Sequence, residues 1–153
     1  MAISTSPFTL KDTSLTLKLS GAVTAAQEYR CQLTEAVLTP SDSGGGGNEL
    51  ETFCAKHSDS SSSSTWDLTL SGFQSFADAN DFAMWAFDNE GKKADFVLIP
   101  GQGGSTLSVT NPGFKGEVTV KPTVIGGTAK TYAVFQVSLP CSVKPTKITT
   151  LAA

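Results

Sequence analysis

Reactive chemistry in this 153-residue chain would have to begin at His57, its single histidine, which stands between Cys54 and Asp59 beside a tract of serines. A Ser-His-Asp or Cys-His mechanism needs an imidazole held in one orientation by a third group. The neighbours here, Ser58 and the serines at 60–64, offer no such hold, and His57 reads as a surface-loop residue. Cys54, His57 and Asp59 have a spacing that could serve a metal, but a coordination geometry needs a rigid frame that this stretch does not supply. Asp88, Glu90 and Asp95 could pair as carboxylates for hydrolysis, but a solvated turn is the better account of them. Gly101-Gln102-Gly103-Gly104-Ser105 resembles a phosphate cradle but lacks the lysine and following helix of a P-loop. No enzyme activity, cofactor or metal is expected.

Composition directs attention to the surface instead. The chain has 39% hydrophobic and 16% charged residues, a charged fraction below the usual quarter, which leaves neutral area for contact with other subunits. A single domain of this length buries roughly 68–70% of its unfolded surface and folds without staples. A net charge of -3 argues against tight binding to phosphate backbones. The first twenty residues alternate polar and apolar types, so they are expected to form neither a signal peptide nor a membrane span. Cys31, Cys54 and Cys141 show no C-x-x-C spacing; Cys31 and Cys141 are expected to be buried small hydrophobes, whereas the place of Cys54 beside the soft inserts leaves exposure open for it.

The elements that would position any site are mostly strands. Leu15, Leu17 and Leu19 alternate with Thr16 and Lys18, predicting a half-buried strand. Residues 29–39 follow as a looser strand holding Cys31, which Pro40 is expected to end. Two soft inserts come next, Ser41-Asp42-Ser43-Gly44-Gly45-Gly46-Gly47-Asn48 and Ser58-Asp59-Ser60-Ser61-Ser62-Ser63-Ser64, so residues 39–65 are expected to form a long flexible loop. Trp66, Leu68 and Leu70 alternate with Asp67 and Thr69 in a strand expected to be central and closed by Gly72.

Phe76, Ala79, Ala83, Ala86 and Phe87 fall at helical spacing and predict one helix over 75–89, begun by Ser75 or Asp78 and ended by Gly91. Asp95-Phe96-Val97-Leu98-Ile99 reads as a strand covered on both faces. Residues 116–121 and 131–139 alternate as two more strands, and Gly126-Gly127 between them predicts an antiparallel hairpin. Residues 143–153 read as a loosely held tail. The whole is one mainly β domain, a β-sandwich or barrel flanked by a single α-helix.

The order of these segments resembles the major tail tube proteins of long-tailed, siphovirus-like bacteriophages. The resemblance is carried by residues 8–17 and 64–73, by Phe82-Ala83-Met84-Trp85-Ala86-Phe87-Asp88-Asn89, and by the strand over 94–100. It implies a structural virion protein without enzyme activity, made in the host bacterial cytoplasm. Such subunits assemble into hexameric rings, stacked as the hollow tail tube through which DNA leaves the capsid. Their sheets join into an inner barrel, and the loop after the second strand orders on assembly. The implied partners are further copies of the chain, a tape measure protein and tail terminator or initiator proteins, with genomic DNA passing unbound.

On that reading Pro40, Asp42, Gly44, Gly47, Asn48, Glu49 and Glu51 form an assembly loop. Three polar faces are alternative candidates for lining the lumen, Thr16 with Lys18, Asp67 with Thr69, or Glu117 with Thr119 and Lys121, and the lysines among them argue against a uniformly acidic lumen. Two other readings compete. A head decoration or tail-completion protein would stop at a trimer or one closed ring. A carbohydrate-binding β-sandwich would expose Trp66, Trp85 or Tyr132 as a platform for sugar.

Overall fold

The computed structural model describes residues 10, 12–42, 49–51, 56–58, 64–101 and 105–151. Ten strands and one helix follow one another along these residues: β1 (Ser14–Leu19), β2 (Gln27–Glu28), β3 (Leu33–Asp42), β4 (Glu49–Glu51), β5 (Lys56–Ser58), β6 (Ser64–Phe73), α1 (Phe82–Asp88), β7 (Lys93–Ile99), β8 (Gly113–Thr119), β9 (Val134–Pro140) and β10 (Thr146–Ile148). Two antiparallel sheets form the sandwich, one ordered β10-β8-β7-β1-β2 and the other β3-β6-β9, while β4 and β5 pair only with each other.

Period-two alternation turns one face of each sheet inward. Leu15, Leu17, Phe96, Leu98 and Val118 from the larger sheet meet Leu68, Leu70, Phe135, Val137 and Leu139 from the smaller one in a single buried core. The helix closes the end of this core with Phe82, Trp85 and Ala86. Phe82 stacks on Phe135 with ring centroids 5.0 Å apart and meets Tyr29 edge-on at 5.3 Å, geometries that aromatic quadrupoles favour.

Several expectations are corrected. The helix covers 82–88 rather than 75–89, because Asp81 turns its carboxylate back onto the amides of Ala77 and Asp78 and holds that stretch as a turn. Phe76, ahead of the helix, stands exposed, and Phe87 is exposed on the outer side of the helix itself. Gly91 does adopt the left-handed conformation, φ 77°. The run at 95–99 is covered on both faces only towards its end: Ala94, Phe96 and Leu98 point inward, and on the other face Asp95 is exposed, Val97 half-buried and Ile99 buried. The hairpin across Gly126-Gly127 does not form. β8 pairs with β7 and β10, β9 pairs with β6, and residues 121–133 cross from one sheet to the other. Part of the stretch expected to be loosely held, Thr146–Ile148, is β10 and pairs with β8.

Pro40 does not end its strand. The register continues through Pro40↔Trp66 and Ser41↔Thr65 to Asp42↔Ser64. The Trp66 carbonyl accepts a hydrogen bond from the Cys141 amide at 2.8 Å, so the main chain of Trp66 faces away from β3. In an antiparallel pair both main-chain groups of a residue point the same way, so Pro40 sits at a non-hydrogen-bonded position and its missing donor falls on the open edge. Gly72 likewise leaves its strand to run on to Phe73.

Candidate assembly surface

The outward residues of the β3-β6-β9 sheet form three rows across the strands: Glu35, Ser71 and Gln136; Val37, Thr69 and Ser138; Thr39, Asp67 and Pro140. Inward neighbours such as Leu68 and Leu70 are fully buried, which fixes the register, since a one-residue slip would reverse every side chain. Ser71 Oγ donates to Glu35 Oε2 at 3.0 Å, and the Thr69 and Ser138 hydroxyls lie 3.5 Å apart. These rows hold two carboxylates and no lysine or arginine, so the face is neutral to acidic.

The opposite outer face has a different character. Lys18, Asp95 and Glu117 lie in one row across β1, β7 and β8, and Thr16, Val97 and Lys115 in another. Ser20 Oγ sits 2.9 Å from Asp95 Oδ1 and 3.3 Å from Glu117 Oε2. Lys93 Nζ donates to Thr119 Oγ1 at 2.9 Å and to Ser142 Oγ at 2.7 Å. The alternative candidates for a lumen face lie on different sheets. Asp67 and Thr69 belong to the smaller sheet, Glu117 and Thr119 to the larger, with the core between them.

Of the residues named as the assembly loop, Pro40 and Asp42 extend β3, and Glu49 and Glu51 belong to β4, paired to Ser58 and Lys56. Gly44, Gly47 and Asn48 lie outside the described residues. So do Cys54 and Asp59 of the conceivable metal set, with His57 placed only as a strand position opposite Leu50. Among the described residues no cluster of His, Cys, Asp and Glu is placed to hold a metal, and no helix is long and apolar enough to cross a membrane. Cys31 is exposed, against expectation, because the chain turns at Tyr29–Gln32 and sends Tyr29 inward instead. Cys141 is half-buried, and its thiol is pushed up to about 11 by desolvation and by the charge of Asp67.

Trp85 lies in the core and Trp66 is half-buried with its indole nitrogen enclosed, so the three aromatic residues considered for a sugar platform do not share a surface. Tyr132 alone is out, at 93% exposure. Other apolar residues are exposed that alternation did not reveal: Phe73 and Val134 are cross-strand partners on one outer face, and Val124 and Ile125 stand out from the crossing segment. Gln74 fastens that segment, its amide giving to the Gly126 carbonyl at 3.0 Å and taking from the Gly126 N–H at 2.9 Å. A second feature without a sequence signal lies beside β3, a groove of about 260 Å³ that includes Leu10, Arg30, Leu33, Ala36 and Val37. Arg30 is ion-paired with Asp12 and Glu28, which hold it firmly protonated.

No protein-family model matches the chain, and no curated protein matches it.

Proposed function

We propose that the chain is a structural, self-assembling subunit, the tail tube protein of a long-tailed bacteriophage, polymerising as stacked hexameric rings. One observation carries this reading: among the described residues β3 has no strand on its outer side, β9 has none along most of its length, being bridged to β8 only just past its end at Cys141, and the three rows of the outer face hold carboxylates but no lysine or arginine. Open edges favour pairing with another chain, and closure into a barrel removes them. A neutral to acidic wall suits passage of DNA, because each firm cationic contact with a phosphate would retard it. The order of sequence segments that resembles tail tube proteins supports the same reading.

In this account the β3-β6-β9 sheet lines the lumen, with Asp67 and Thr69 facing it, while Glu117 and Thr119 face outward. The subunit catalyses nothing and needs no cofactor. Its partners are other copies, a tape measure protein and the proteins that initiate and terminate the tail, and its place is the tail of the virion after synthesis in the bacterial cytoplasm.

Light scattering against concentration tests the reading. A mass that keeps growing beyond one ring supports a tube. A plateau at a trimer or a single closed ring supports a head decoration or tail-completion protein instead.

A further inference from the structure

We draw no further inference here: the strongest candidate, the apolar groove of about 260 Å³ beside the open edge of β3, carries none, because nothing in the structure shows what covers it.

Discussion

Gln32 and Asp81, far apart in the chain, are joined at the start of the helix: the Gln32 amide nitrogen donates to Asp81 Oδ1, and Gln32 Oε1 accepts the Phe82 backbone N–H at 3.0 Å. One side chain thus satisfies a helix amide that lacks an intrahelical acceptor and fixes the carboxylate that holds the preceding turn. The remaining oxygen of Asp81 accepts the amides of Ala77 and Asp78 at 3.0 and 3.1 Å. The turn before β3 and the turn before α1 are consequently one locked unit at the end of the sandwich.

Gln32→Leu should cost about 1–3 kcal/mol, the penalty for leaving enclosed polar groups without partners. Urea unfolding followed by tryptophan fluorescence measures it. Stability equal to the parent's would show that the bridge contributes nothing.

Asp81 makes a pH-dependent contribution. Hydrogen bonds to the ionised form, from Ser75, the Asp78 amide, Gln32 and the Ala77 amide, hold its carboxyl below the ordinary value of 3.8 although burial opposes them. A folded-state pKa below the unfolded one gives stability that is fully present above the unfolded value and lost as pH falls through the folded value. Urea midpoints of the parent should therefore fall more steeply below pH 3.8 than those of Asp81→Asn. Parallel pH profiles would contradict this.

Phe82→Ala should destabilise by about 3–5 kcal/mol, since the ring is fully buried against Tyr29, Trp85 and Phe135. Gly72→Ala should cost about 1–3 kcal/mol for a different reason. A Cβ there would overlap the Gln32 carbonyl and approach Phe135 Cζ to 3.1 Å, where backbone leaves no room to yield. Both are read from urea midpoints.

Thiol reactivity should separate two cysteines. Cys31 is exposed, whereas Cys141 is half-buried with its pKa raised to about 11, which suppresses the reactive thiolate at neutral pH. Brief iodoacetamide treatment followed by peptide mass spectrometry should label Cys31 well before Cys141. Equal rates would refute this ordering.

Shortening the glycine run between Gly44 and Gly47 should leave the urea midpoint unchanged and slow assembly measured by light scattering. Unaltered growth would remove that stretch from the mechanism.

Where burial of one face dictates the residue pattern, the sequence was readable. The alternation at Leu15 and Leu17, at Leu68 and Leu70, and at Phe135 through Leu139 placed three strands and their inward faces correctly. The helix was overextended because Phe76 and Ala79 mimic helical spacing, while the device that stops it, the Asp81 carboxylate folded back and tied to Gln32, depends on a contact across 49 residues. Strand partners were not legible, because most pairings join residues far apart in the chain. Gly126-Gly127 looks like a hairpin turn, yet β9 finds its partner in β6, as no local signal announces. For the candidate surface, alternation identified Asp67, Thr69, Glu117 and Thr119 as outward residues but left open that they lie on opposite sides of the core. The exposed Phe73–Val134 pair and the β3 groove are products of strand order and could not be seen before it.

Self-assembly into a hollow tube is tested most directly by negative-stain electron microscopy of the purified protein over a concentration series. The account predicts tubes or stacked rings with a regular axial repeat and a central channel, becoming longer or more abundant as concentration rises. Isolated single-chain particles at every concentration would contradict it.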